Sequence, residues 1–331
     1  MIGIAIIGLG NALEPHAKSL ADLADRVRVV WAAARSDVRL AAVADRYGWP
    51  VTTDIARAIR DPAVNAVLVL TPASRHLELA EASFAAGKHV LCEKPLDATT
   101  ERAERLVAAG RRAGRRLGVV LQMRFRPGSR RLYEAVMAGA LGKIEAASMS
   151  VPWWRPQSYY DQPGRGTKQQ DGGGVLITQA IHAIDLFRWL VGITRIDAAY
   201  VRQTALHKMK TEDYAAALVR LGNDAPGTIT ATTSFYPGSP EWIEIIGTNG
   251  TARLERGSLR LSFLDGPEEM LADDAGSGSG ANVMGFSHHA HRDLLADFLD
   301  AIETGRDPAI TGEDALATQR VIDAILSKGS D

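Results

Sequence analysis

Ile2-Gly-Ile-Ala-Ile-Ile-Gly-Leu-Gly10 opens the chain, and a helical pattern follows it over about residues 15–25. An apolar run with no polar alternation reads as a strand covered on both faces, the habit of a parallel sheet. Working outward, the same unit recurs. Residues 27–34 read as a second buried strand and 38–47 as its helix. Val51 marks a short strand, and 55–60 a short helix with Thr53-Asp54 as its cap. Strands over 66–70, 89–92 and 119–123 alternate with helices over 75–86 and 99–113. Strict alternation with right-handed crossovers predicts an α/β, doubly wound parallel-sheet domain over residues 1–123.

The pattern changes beyond residue 124. Strands are expected over 143–151, 196–203, 214–221, 227–235, 241–247, 251–256 and 259–264, several of them alternating apolar and polar residues. Asn249-Gly250 between two of them is a hairpin signal. The reading is an α+β domain over 124–331 with an open-faced, mainly antiparallel sheet. One helix over 175–191 interrupts the strands. The Gly/Ser-rich stretch 273–282 reads as a mobile loop. Helices over 291–304 and 312–328 close the chain and are expected to pack back on the first domain.

Composition bounds the function. At 331 residues, two domains are the prior. Lys and Arg (38) balance Asp and Glu (39), so no basic surface calls for nucleic acid or an anionic membrane. The Arg-rich end of the 99–113 helix reads as solvated. A single cysteine, Cys92, rules out an internal disulfide framework and fits a reducing compartment. With no leader-like segment and no apolar run long enough to span a bilayer, the expectation is a cytoplasmic protein.

The chemistry starts at the first turn. Gly8, Gly10 and Asn11 follow a strand and precede a helix, where backbone N–H groups can approach a pyrophosphate. Two glycines are a weak fingerprint alone, since Leu13 stands where a third would be. At the end of the second strand, a carboxylate would accept hydrogen bonds from an adenosine ribose. Here Ala34-Arg35-Ser36 offers a guanidinium and a hydroxyl instead, which suit a 2′-phosphate. NADP(H) is therefore favoured over NAD(H), with Asp37 as the ribose partner if Arg35 is only a surface residue. Thr71-Pro72 and Glu93-Lys94-Pro95 stand at two further strand ends, where open α/β sheets bind ligands. A lysine there can hold a substrate oxygen, although a charged pair before a proline is more often a loop salt bridge.

Several segments together resemble the Gfo/Idh/MocA family of oxidoreductases. They are Gly8-Leu-Gly10 with His16, Thr71-Pro72 with His76, and Gly87-Lys-His-Val-Leu-Cys-Glu-Lys-Pro95. Gly139-Ala-Leu-Gly142, Asp171-Gly-Gly-Gly174, His182-Ala-Ile-Asp185, Glu212-Asp213 and Gly247-Thr-Asn-Gly-Thr251 continue the resemblance. The closing segment, from Ala301-Ile302 to Pro308-Ala-Ile-Thr-Gly312, extends it over nearly the whole chain. The resemblance implies NAD(P)-dependent oxidation or reduction of sugars, polyols and related compounds. It also implies a homodimer or homotetramer built through the C-terminal sheet.

His182 matches that family's catalytic histidine. In a continuous helix, Thr178, His182 and Asp185 share one face, so Asp185 is expected to orient the His182 ring or raise its pKa. Thr178 stands where family members often carry Asp, and a hydroxyl cannot serve as a carboxylate base. Lys94 and His182 are thus the expected catalytic pair. Cofactor contacts are assigned to Gly8, Gly10, Asn11, Arg35, Ser36, Thr71, Pro72, His76, Glu93 and Lys94. Substrate contacts are assigned to Lys94, Trp154, Arg155, Tyr160, Arg165, Thr178 and His182, because aromatic faces and guanidinium groups suit sugars and acids. His288, His289 and His291 have tempting spacing but read as a polar helix start, and no metal is expected.

The function expected is hydride transfer between a nicotinamide and a secondary alcohol or ketone of a sugar-like substrate, with no nucleic acid or membrane partner. The alternatives are a dehydrogenase of a nucleotide-linked or acidic sugar, and a non-catalytic nucleotide-binding regulator.

Overall fold

The strand that opens the chain is the middle of a sheet. In the computed structural model, which describes residues 1–273 and 287–329, β1 (Ile2–Ile7) is buried at every position. It lies between β2 (Val27–Ala33) and the strand after α3, so both its faces and both its edges are covered. Its helix α1 (Leu13–Asp22) leads to β2, α2 (Asp37–Tyr47), β3 (Val51–Thr52), α3 (Ile55–Arg60) and β4 (Ala66–Val69). Helix α4 (His76–Ala85), β5 (His89–Cys92), α5 (Thr100–Ala113) and β6 (Leu117–Val119) complete the series. All six strands are parallel in the order β3-β2-β1-β4-β5-β6. The order reverses at β1, the arrangement of dinucleotide-binding sheets. The last strand lies earlier than the sequence pattern places it. Residues 117–119 pair with β5, and the equally apolar Val120 and Leu121 are buried beyond the ladder.

Contacts divide the chain into two compact units, Met1–Leu121 with His288–Leu316, and Gln122–Ser287 with Ala317–Asp331. In the second unit the elements run α6 (Pro127–Met137), β7 (Ile144–Pro152), α7 (Gln157–Tyr160), α8 (Val175–Thr178) and α9 (Ile181–Val191). They continue through β8 (Arg195–Arg202), β9 (Tyr214–Arg220), β10 (Pro226–Thr232), β11 (Trp242–Gly247), β12 (Gly250–Glu255), β13 (Ser258–Phe263) and β14 (Glu269–Leu271). The eight strands form one sheet, ordered β14-β13-β12-β11-β7-β10-β9-β8. It is antiparallel except between β10 and β7. Helix α6 and strand β14 lack a clear signal in the sequence. The Asn249-Gly250 signal does mark the β11–β12 hairpin, with Gly247 opposite Gly250.

Period-2 alternation sorts the two faces of this sheet. Met149, Ile229, Ile243, Ile245, Leu254 and Leu261 are buried, on the side that α6, α8 and α9 cover. Leu218, Thr228, Ser148, Glu244, Arg253, Arg260 and Met270 align across the strands on the other face. Leu218 and Met270 are exposed there.

The single helix expected over 175–191 is broken. The N–H of Ala180 reaches back to the Val175 carbonyl, five residues away, and α9 starts afresh at Ile181. The last two helices are α10 (His289–Thr304) and α11 (Gly312–Lys328). Within the first unit α10 packs on α1. The loop expected over 273–282 lies, beyond Asp273, outside the described residues. No helix among the described residues is long and apolar enough to cross a membrane.

Candidate active site

Gly8 is required by two constraints. Its φ is +104°, and a Cβ there would stand 2.7 Å from the carbonyl carbon and oxygen of Leu70. The turn after β1 therefore passes against the end of β4, which only glycine allows. The first turn of α1 receives no side-chain cap, whereas Ser36, Asp54 and Thr99 cap α2, α3 and α5. An uncapped helix start presents N–H groups and a positive dipole end to an anion. At the end of β4, Thr71 Oγ1 is buried with no hydrogen-bond partner among the described residues. A close-packed glycine turn, an open helix start and an orphaned hydroxyl on one sheet edge fit a dinucleotide.

At the end of β2, Arg35 is exposed, and the Ser36 hydroxyl accepts from the Arg39 N–H to cap α2. Arg39 was not singled out from the sequence. A Cβ at Gly10 would have its Nη1 as nearest neighbour, at 3.9 Å, so this guanidinium leans over the glycine turn.

His76 corrects a cofactor assignment. It is fully buried, with Nε2 2.8 Å from the Thr71 carbonyl and Nδ1 3.0 Å from the Pro95 carbonyl. It braces two strand-end loops and has no free edge for a nucleotide. Asp97 holds the same loop from below. Fully buried, it accepts from the N–H groups of Leu77 and Ala98 and from Arg102 Nε.

Glu93 is engaged by protein groups. Oε1 accepts from His16 Nε2 at 2.8 Å and Oε2 from the Lys94 N–H at 3.0 Å. Burial opposes its charge, but the His16 hydrogen bond and the charges of His16, His291 and Lys94 pull its pKa down to about 2. Lys94 stands half-buried at the carboxyl end of β5. Of the three C-terminal histidines, His288 and His289 have rings 4.9 Å apart, and His291 turns elsewhere. His288 bonds Asp22 at 2.8 Å, whereas His291 is buried with its ring edge-on to His16 at 5.4 Å.

In the second unit His182 is half-buried in the first turn of α9. The expected Asp185 partnership needs correction. Asp185 is fully buried and accepts from Arg124 Nε at 2.7 Å, Arg124 Nη2 at 2.6 Å and Thr318 Oγ1 at 2.8 Å. The break at Gln179 and Ala180 also removes the continuous face shared with Thr178, whose hydroxyl donates to the Gly174 carbonyl. The loop ahead of α8 is explained by close approach. A Cβ at Gly174 would stand 1.9 Å from the Glu212 carbonyl oxygen. The N–H groups of Val175 and Leu176 bond the Glu212 carbonyl and carboxylate.

The proposed substrate residues separate into two kinds. Tyr160 is buried with its hydroxyl 2.6 Å from Thr233 Oγ1, and Arg155 is buried over the Trp153 ring, donating to the Trp154 carbonyl. Trp154 and Arg165 remain half-buried, with Arg165 over the Tyr159 ring and 3.5 Å from Asp171. Beneath this loop, buried His207 bonds Asp213 at 2.7 Å and the Arg155 carbonyl at 2.8 Å. Nothing local in the sequence marks that pair.

Comparison with known proteins decides the family. Residues 2–121 match the oxidoreductase family with an NAD-binding Rossmann fold, and residues 129–253 match the GFO/IDH/MocA C-terminal domain. The chain belongs to the Gfo/Idh/MocA family. Among its Gfo/Idh/MocA relatives, a 1,5-anhydro-D-fructose reductase of Ensifer adhaerens is 30% identical over 272 residues, 80% of this chain and 77% of that protein. A myo-inositol 2-dehydrogenase of Thermotoga maritima is 27% identical over 322 residues, 94% of this chain and 91% of that one. The WlbA dehydrogenase of Bordetella pertussis, solved with NADH and UDP-GlcNAcA, matches with a TM-score of 0.87. It is 27% identical, over 100% of this chain and 97% of that one.

Proposed function

We propose that this Gfo/Idh/MocA protein is an NAD(P)-dependent oxidoreductase that interconverts a secondary alcohol and a ketone on a sugar, polyol or related compound. The observation that carries the reading lies in one sheet. An uncapped helix start follows β1, and Lys94 stands at the carboxyl end of β5, on the edge where such sheets bind ligands. When bound, the nicotinamide supplies or accepts the hydride. The chain's own work is alignment and proton transfer. Gly8, Gly10 and Asn11 cradle the pyrophosphate, Lys94 holds and polarises the substrate oxygen, and His182 exchanges its proton. The reading calls on no metal.

NADP(H) is the preferred cofactor in this reading, because exposed Arg35 at the end of β2 and Arg39, whose guanidinium leans over the glycine turn, are two cations suited to a 2′-phosphate. The partly exposed face of the eight-stranded sheet, with Tyr200, Leu218, Ile246 and Met270 exposed, is the proposed surface for a homodimer or homotetramer. A cytoplasmic setting suits the single buried thiol.

A second reading, an acidic or nucleotide-linked sugar as substrate, is supported by the likeness to WlbA and by half-buried Arg165. Nicotinamide absorbance at 340 nm, followed with both cofactors over polyols, anhydrosugars and a UDP-linked hexuronic acid, separates the two. Cofactor binding with no turnover on any of them would instead favour a non-catalytic regulator.

A further inference from the structure

His16, Glu93 and His291 come from three distant stretches of the first unit, yet one side-chain donor or acceptor atom of each lies within 4.8 Å of the other two. His16 is 1% exposed and His291 4%. Because a carboxylate only accepts, His16 Nε2 carries the proton in its 2.8 Å bond to Glu93 Oε1. Its Nδ1 has no hydrogen-bond partner among the described residues, so the ring is committed to Glu93. The other Glu93 oxygen faces the main chain of the next residue, accepting from Lys94 N. The titratable groups facing Glu93 are His16 from α1, His291 from α10, Lys94 ahead of it and the buried Cys92 thiol behind it.

We propose that His16 and His291 are positioning residues: they keep the Glu93 carboxylate ionised and turned toward Lys94, so that it fixes the Lys94 main chain and balances the Lys94 ammonium. The inference rests on the reading of Lys94 as the substrate-facing amine. The physical reason is desolvation. A carboxylate this enclosed would protonate or swing away without donors and positive charge around it. Attraction between Glu93 and Lys94 acts on both partners, so losing the anion leaves more of the Lys94 amine uncharged at a given pH. Holding the backbone at 94 also restricts where a flexible four-carbon stem can place its amine.

Trace labelling with acetic anhydride near pH 8, with the Lys94 peptide quantified by mass spectrometry against exposed Lys143, reads this without a substrate. His16→Leu and the near-isosteric Glu93→Gln should each raise the relative labelling of Lys94 by about threefold or more. His291→Leu should act in the same direction. His16→Gln keeps an N–H donor and should stay close to the parent. Unchanged labelling in both His16→Leu and Glu93→Gln overturns the proposal. So does a His16→Gln variant as perturbed as His16→Leu, because the hydrogen bond from His16 would then not be what holds Glu93. The reading beneath is tested separately. Normal turnover by Lys94→Ala would remove Lys94 from catalysis whatever the labelling shows.

Discussion

Arg124 grips Asp185 through two hydrogen bonds of 2.6 and 2.7 Å, and both side chains are buried. This pair ties the segment before α6 to the first turns of α9, the helix that carries His182. It also explains why Asp185 is spent on structure. Removing Arg124 leaves the buried Asp185 carboxylate with Thr318 and, 3.7 Å away, Arg188, and breaking a buried pair costs up to about 3–5 kcal/mol. Arg124→Met is therefore expected to lower stability by about that much, measured by urea denaturation of the second unit's fluorescence. A loss below about 1 kcal/mol would show that the site relaxes or hydrates.

The His207–Asp213 pair makes stability depend on pH. Burial opposes the charge on His207, but the Asp213 hydrogen bond outweighs it and holds the pKa above the usual 6.5. Burial likewise opposes the Asp213 charge, yet bonds from His207, Thr204 and Ser234 bring it down to about 2 from 3.8. A raised histidine contributes fully below 6.5, and the contribution is lost as pH rises through the folded value. A lowered aspartate contributes above 3.8, and that is lost as pH falls towards 2. The Tm difference between the parent and His207→Gln should therefore be largest between pH 4 and 6.5, within those bounds, and shrink on either side. A flat difference would contradict the pairing.

Gly8→Ala tests the nucleotide turn. The added methyl meets the main chain at Leu70 in a backbone conformation that disfavours side chains. Nicotinamide-nucleotide affinity, followed by fluorescence quenching, should fall by roughly tenfold or more. Gly48→Ala is the control. It has φ +67° but open space around its Cβ, and it should leave affinity unchanged.

Cofactor choice has its own test. Arg35→Ala combined with Arg39→Ala should weaken NADPH binding by roughly 10²-fold, the scale of two lost charge-assisted contacts, and leave NADH nearly unaffected. Equal loss for both cofactors would show that neither arginine reads a 2′-phosphate.

For the chemical step, Lys94→Ala or His182→Ala should lower kcat by roughly 10²-fold or more on the alcohol that turns over, as expected for loss of a group that handles the transferred proton. Asp185→Asn is expected to act through stability, with the residual kcat of the folded fraction close to that of the parent.

Part of the candidate site is legible in the sequence because its signals are local. A strand ending in Gly8-Leu-Gly10 and another ending in Glu93-Lys94-Pro95 carry their meaning within a few residues, and hairpin chemistry at Asn249-Gly250 does the same. Thr178, His182 and Asp185 show the limit. Their spacing described an unbroken helix, but Ala180 bonds back five residues and the face is lost. Tyr160, Arg155 and His76 have side chains whose chemistry suits ligands. In the fold the Tyr160 hydroxyl meets Thr233, Arg155 donates to the Trp154 carbonyl, and His76 lies between two strand-end loops.

By itself, the sequence determined the parallel α/β unit, the mainly antiparallel sheet after it, the glycine turn and the lysine at a strand end. Periodicity and turn chemistry are properties of neighbouring residues. Only the tertiary structure decided who partners whom. Asp185 finds Arg124 61 residues away, and Glu93 finds His16 77 residues away. Burial obliges each carboxylate to find donors, and only the folded chain determines which donors lie within reach.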